Sequence, residues 1–276
     1  MSNLFVGKHA VITGGSSGIG KATAKLLATK GANITIIARD RSKLDKAQAE
    51  IAASSHNQQQ QILTIVADVS DYNQINSAIT HAVSQLGIPD ILVTSAGIAH
   101  PDYFQRLSLA TFEKTMQINY FGSLYAIKAV LPWMEKAKAG NIILVSSGAG
   151  LIGLYGYSAY SPSKFAVRGL AESLRGELKP LGIKIGIIYP PDTDTPQLVE
   201  ENKTKPTATK LITANANTWT AEQIAQAIVQ GINKNQFNIT PGWEMTILGR
   251  LHSLISPLLQ SYFDSLVIKA NSKLEN

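Results

Sequence analysis

Cysteine is absent from this 276-residue sequence, which excludes disulfide bridges, thiolate catalysis and cysteine-held metals. Charge is scarce as well: charged residues make up 16% of the chain, against about 25% in an average soluble protein. The net charge of +6 contains no run of five or six basic residues, so nucleic acid is not an expected partner. The five histidines, at 9, 56, 81, 100 and 252, lack metal-ligand spacing, and no metal site is expected. No charged segment followed by an apolar one opens the chain. A signal peptide is therefore not expected, and a cytoplasmic location is the default.

What remains is 45% hydrophobic residues in a pattern. Short β-rich runs alternate with longer helical stretches, as in βαβ units around a parallel sheet. The strands expected are His9–Thr13, Asn33–Ala38, Ile62–Ala67, Ile91–Thr94, Asn141–Ser146 and Ile183–Tyr189, with Phe237–Thr240 as a short seventh. Helices are expected near 19–30, 41–53, 71–86, 108–137, 161–179 and 220–232. Most of the strands are continuous apolar runs, as in sheets covered on both faces. The fold class that follows is α/β, a Rossmann-type doubly wound parallel sheet of about seven strands. Residues 1–242 would form the catalytic domain. Within it, 190–218, rich in Pro, Thr, Lys and Asn, would be a mobile loop with short helical pieces, its residues 192–218 forming a lid over the substrate. Residues 243–276 would be a helical tail.

Thr13-Gly14-Gly15-Ser16-Ser17-Gly18-Ile19-Gly20 lies where the first strand meets the first helix. Glycines there let backbone N–H groups and the helix N-terminus approach a pyrophosphate. The Gly-x3-Gly-x-Gly spacing resembles that of the short-chain dehydrogenase/reductase family. The second strand ends in Ala38 rather than a carboxylate; Arg39 follows, and Lys43 lies four residues further on. A guanidinium fork and an ammonium suit a 2′-phosphate, so NADPH/NADP+ is the expected cofactor. Asp40, which could instead serve the ribose, leaves the alternative open. The family resemblance implies that Asp68 binds the adenine amino group. It implies further dinucleotide contacts from Gly14, Ser16, Ser17, Gly18, Ile19, Ala96, Gly97, Tyr160, Lys164 and Thr193. Thr94-Ser95 stands where the family usually has Asn-Asn.

Tyr160 and Lys164 are four apart on one helix face, and Ser147 lies thirteen residues before Tyr160. Ketone reduction needs a proton at oxygen. Tyr160 suits that task if Lys164, as an ammonium, lowers its pKa from about 10. Ser147 would hydrogen-bond the substrate carbonyl; spacing favours it over Ser146. The resemblance adds Asn119, which in the family holds a water that relays protons to the lysine. A purely structural amide is the other reading.

Tyr189-Pro190-Pro191-Asp192-Thr193-Asp194-Thr195-Pro196, Glu200-Glu201-Asn202-Lys203-Thr204-Lys205-Pro206 and Gly156-Tyr157-Ser158-Ala159-Tyr160 resemble the branch of this family that acts on long-chain lipid ketones. That resemblance implies reduction of 3-ketosphinganine to sphinganine. It also implies a homo-oligomer paired through the helices at 108–137 and 161–179. In the tail, apolar residues at 247/248, 251, 254/255, 258/259, 262/263 and 266/267 form one helical stripe. The uncharged run between Arg250 and Asp264 is 13 residues, short of the ~20 that span a bilayer. The tail could lie peripherally on a membrane surface, on the core or on another subunit. Rival readings are reduction of 3-oxoacyl thioesters, retinoids or steroids, a non-catalytic NADP(H) sensor, or a lipid-binding adaptor.

Overall fold

His9–Thr13 is uncharged and wholly buried as strand β1, because both faces of the sheet it centres are covered by helices. The computed structural model describes residues 4–213 and 217–272, apart from the side chains of 252, 253 and 270–272. Residues 214–216 of the expected lid, 273–276 of the tail, and the His252 and Ser253 side chains lie outside the described residues.

After β1 come α1 (Gly18–Thr29), β2 (Asn33–Ala38), α2 (Arg41–Ala52), β3 (Ile62–Val66), α3 (Tyr72–Leu86) and β4 (Ile91–Thr94). Then follow α4 (Leu109–Met116), α5 (Gly122–Ala137), β5 (Gly140–Val145), α6 (Tyr160–Leu178) and β6 (Ile183–Ile188). A two-residue β7 (Thr193–Asp194), α7 (Pro196–Thr204), α8 (Thr207–Thr213) and β8 (Trp219–Thr220) lead to α9 (Ala221–Asn233), β9 (Asn238–Ile239) and α10 (Gly242–Ser272). The main sheet has seven parallel strands in the order β3-β2-β1-β4-β5-β6-β9. The chain reverses its direction of travel between β1 and β4, and the crevice at such a switch point is where α/β sheets take ligands. His9 is a satisfied core histidine: its ring bonds Gly87 O at 2.8 Å and Thr35 Oγ1 at 2.9 Å, and burial lowers its pKa.

Three local departures from the sequence reading matter for the site. The helix expected over 108–137 is interrupted by a π turn at Gln117–Phe121, centred on buried Asn119. Hydrophobic periodicity runs through a one-residue bulge and does not register it. The stretch after β6 holds, besides the short helices expected there, an unexpected strand pair. Thr193 pairs with Trp219 and Asp194 with Thr220, which ties the two ends of the segment together around α7 and α8.

The apolar stripe of the tail, lastly, is covered along one edge only. Leu248, Ile255, Leu259 and Phe263 of α10 line a cavity against the domain. Their neighbours Leu254 and Leu258 point outward, 76% and 75% exposed, in a row with exposed Leu251, while Trp243 and Ile247 are exposed and also border the cavity. The doubled positions 254/255 and 258/259 divide between cavity and solvent because the helix is covered on one side only. No helix among the described residues is long and apolar enough to cross a membrane.

Candidate active site

The turn after β1 requires its glycines. Gly14 has φ +69°, and a Cβ there would sit 2.7 Å from the Ala96 backbone. A Cβ on Gly20 would collide with the Gly14 carbonyl, so α1 begins tight against the turn. Ser17, the N-cap of α1, makes no side-chain capping bond, and the first turn carries no acid. That helix N-terminus is suited to an anion.

A cavity of about 390 Å³ opens from this turn along the switch point. Every residue expected to touch a dinucleotide lines it, from Gly14 and Ser16–Ile19 through Arg39, Lys43, Asp68, Ala96 and Gly97 to Tyr160, Lys164 and Thr193. At the β2 end, Arg39 Nη1 is 3.6 Å from Asp68 Oδ2. Burial works against an ionised Asp68, yet two hydrogen bonds from Ser70 and the nearby Arg39 outweigh it and lower its pKa. Asp40 caps α2, accepting the Lys43 N–H at 3.0 Å, and its other oxygen is 3.9 Å from the Lys43 ammonium. The residues present therefore fit a phosphorylated dinucleotide: an acid-free helix N-terminus for the pyrophosphate, two cations at the far end, and glycines where side chains would intrude. Where the family's asparagines are replaced, the Thr94 hydroxyl is buried without a hydrogen-bond partner. Ser95 N–H and Ala96 N–H donate to Thr13 O (3.2 Å) and Thr13 Oγ1 (3.5 Å).

Tyr160 opens α6, and Lys164 follows one turn later on the same face; both are buried. The Lys164 ammonium lies 5.5 Å from the Tyr160 ring centroid and donates to Val145 O at 3.0 Å. Ser147 lines the cavity, accepting the Ala149 N–H at 3.1 Å, whereas the Ser146 hydroxyl is used on Lys164 O at 3.1 Å. Asn119 sits behind the wall. Its amide bonds both backbone groups of Ile98 (2.9 and 3.0 Å) and donates to Ser163 Oγ at 2.9 Å. A Cβ on Gly97 would lie 3.3 Å from Asn119 Oδ1 and 3.6 Å from Lys164 Nζ, so these three groups converge.

One expectation is corrected by the electrostatics. Lys164 was to lower the pKa of Tyr160; instead burial pushes the phenol up, and the charge of Glu201 adds to the rise. Ser147 and Gln197 act in the opposite direction without prevailing. Burial also drives Lys164 down to about 8, with Glu201 partly resisting. Tyrosine and lysine share one poorly solvated spot, where burial is the largest influence on each and disfavours both charged forms.

Within the lid expected over 192–218, the sequence singled out no role for Gln197 or Glu201. Thr195 caps α7 and Pro196 occupies its first turn, a start signal that sets Gln197 and Glu201 one turn apart on the inner face. Glu201 accepts a 2.6 Å bond from the Tyr157 hydroxyl and a 2.8 Å bond from the Gln197 amide. Lys205, its side chain 3% exposed, is 3.7 Å from Asp192 Oδ2 and 5.8 Å from the Tyr157 ring centroid. An apolar cavity of about 340 Å³ adjoins the polar one. The two share Ser147, Ala149, Leu154, Pro190, Pro191 and Asp192; Ile152, Ile212, Met245, Leu248, Leu259 and Phe263 line the apolar one alone.

The family model described as short chain dehydrogenase matches residues 8–206. The chain belongs to the short-chain dehydrogenase family. Among relatives, this dehydrogenase is 46% identical over 253 residues to the 3-ketodihydrosphingosine reductase of Mus musculus, covering 91% of this chain and 76% of that protein. It is 40% identical to the 3-ketodihydrosphingosine reductase of Dictyostelium discoideum, over 95% of this chain and 82% of that one. Among solved structures it is similar to levodione reductase, with a TM-score of 0.78 and 28% identity over 85% of this chain and 95% of the other. The 3-ketoacyl-(acyl-carrier-protein) reductase from Brucella melitensis complexed with NADH matches with a TM-score of 0.73 and 25% identity, over 82% and 91% of the two chains.

Proposed function

We propose that this short-chain dehydrogenase reduces the keto group of 3-ketosphinganine, a long-chain 2-amino-3-ketone, to the alcohol sphinganine, with NADPH as reductant. The observation that carries the proposal is the apolar cavity that opens at Ser147 beside Tyr160, where an alkyl tail can lie while its ketone faces the serine and the phenol. The names of the mouse and Dictyostelium relatives support the same substrate.

Bound NADPH supplies the hydride. Gly14, Ser16–Ile19, Ala96, Gly97 and Thr193 would hold the dinucleotide, with Arg39 and Lys43 at its 2′-phosphate and Asp68 at the adenine. Ser147 donates a hydrogen bond to the ketone oxygen and stabilises the charge that develops there. Tyr160, kept protonated by burial, gives its proton to that oxygen. The Lys164 ammonium compensates the phenolate left behind and would hold the nicotinamide ribose of the bound cofactor. Asn119 secures the Ile98 backbone and Ser163, and would hold a water that relays protons to Lys164. Residues 192–218 serve as the lid of a catalytic domain spanning 1–242.

The direct test is NADPH oxidation on addition of 3-ketosphinganine, with NADH as comparator. NADPH is expected to be preferred, and Arg39→Ala to raise its KM about 10- to 100-fold while changing that for NADH less than threefold, the loss of one charge-assisted contact. Turnover of 3-oxoacyl thioesters, retinoids or steroids but not 3-ketosphinganine would replace the substrate. Binding of NADPH with no turnover of any carbonyl would make the protein a sensor.

The outward row of α10 supports peripheral attachment of the 243–276 tail to a membrane surface, since exposed Trp243, Leu254 and Leu258 could enter an interface. Sedimentation with phosphatidylcholine–phosphatidylserine vesicles checks it. The double variant Leu254→Glu/Leu258→Glu is expected to bind about tenfold or more weakly, and a wild-type protein that stays in the supernatant disproves attachment.

A further inference from the structure

We infer that Glu201 receives the substrate's ammonium group and makes the site prefer a 2-amino-3-ketone over the same ketone without nitrogen, a role that rests on the reading of the substrate above. Glu201 is only 7% exposed and lies on the inner face of α7, in the wall of the cavity that Ser147 and Tyr160 also line. Its two hydrogen-bond donors, Tyr157 and Gln197, are both neutral. No ion pair among the described residues includes it. An ionised carboxylate offers about four acceptor sites, and two are in use. A carboxylate taken out of water normally has a cation for company.

The other charges around the cavity are already assigned. Asp192 has Lys205 at 3.7 Å, and the Lys164 ammonium bonds Val145 O. Lys164 feels Glu201 through space without pairing with it. Tyr160 feels Glu201 too, so the carboxylate is close enough to act on the atom that protonates the ketone.

The chemistry of the proposed substrate meets this arrangement. In a 2-amino-3-ketone the nitrogen is bonded to the carbon next to the carbonyl, so a ketone at Tyr160 brings its nitrogen within a few ångströms of the same spot. Negative charge grows on the ketone oxygen during reduction, and a bare carboxylate nearby opposes it in a poorly solvated site. An ammonium placed between the two converts that opposition into attraction. A plain ketone brings no such cation, and for it Glu201 is a hindrance.

The test measures kcat/KM at saturating NADPH for 3-ketosphinganine and for its desamino analogue, 1-hydroxyoctadecan-3-one. Wild type, Glu201→Gln and Tyr157→Phe are compared. The wild type is expected to favour the amino ketone. Glu201→Gln is expected to lower kcat/KM for the amino ketone about 10- to 100-fold, as loss of a charged partner does, while the desamino ketone holds or improves. Tyr157→Phe removes a neutral donor and is expected to keep the preference. The ratio of the two substrates within one preparation does not depend on the fraction folded. An equal fall for both ketones in Glu201→Gln would show that the residue merely pins α7 and would overturn the inference, as would a wild type indifferent to the nitrogen. In either case reduction of 3-ketosphinganine itself would stand. A wild type that reduces neither ketone removes the underlying substrate reading as well.

Discussion

Replacing Tyr160 with phenylalanine is expected to lower kcat for ketone reduction about 10²- to 10⁴-fold while NADPH affinity stays within about threefold of wild type. The substitution deletes one hydroxyl and keeps the ring, which packs 5.6 Å from the Tyr157 ring, centroid to centroid, and against Ala149. Packing survives; the proton does not. Because burial raises the pKa of the phenol, Tyr160 itself stays protonated across the working range. The group that titrates there is Lys164, at about 8. Below that pH its ammonium is present to compensate the phenolate formed when Tyr160 gives up its proton; above it the compensation is lost. The wild-type kcat/KM should accordingly be flat at lower pH and fall above about 8, by up to about tenfold per unit. A Tyr160→Phe variant keeping more than about a tenth of wild-type kcat would remove the tyrosine from the mechanism.

Substrate tail length should matter nearly as much. Each methylene moved from water into an apolar cavity is worth about 0.8 kcal/mol, a factor of about four in kcat/KM. Adding six methylenes to a short 2-amino-3-ketone is expected to raise kcat/KM about 10³-fold, until the cavity of about 340 Å³ is filled and the curve levels. Leu259→Trp, which places a larger side chain in the cavity wall, should bring the plateau to shorter tails with little change for the shortest substrates. A flat dependence on length would mean that the tail stays outside, and the cavity would lose its assigned occupant.

Much of this architecture is legible from local pattern. The strands expected at 9–13, 33–38 and 91–94 carry those boundaries in the structure, and the other four each end one residue early. At the start of α9, Thr220 and Gln223 form a capping box in both directions, a start signal carried by their three-residue spacing. The glycines at 14, 18 and 20 lie at the turn their spacing suggested, since a left-handed φ or a backbone contact there tolerates nothing larger.

Other features were hidden, for physical reasons. The π turn at Asn119 leaves the apolar pattern intact and shows itself only through hydrogen bonds to Ile98 and Ser163. Whether an apolar residue of α10 faces cavity or solvent depends on what packs beside the helix, which periodicity does not contain. The expected pKa of Tyr160 was wrong in sign because a four-residue spacing describes proximity to a lysine and says nothing about burial.

By itself, the sequence determined the parallel sheet, the glycine turn and the pairing of Tyr160 with Lys164, all properties set within a few residues by dihedral preference, side-chain period and helical repeat. Only the tertiary structure decided that Glu201 meets Tyr157 across 44 positions, that α10 closes an apolar cavity against the domain, and that phenol and ammonium sit out of water. These are matters of desolvation and of contact between distant segments, and they come into being only when the chain has closed on itself.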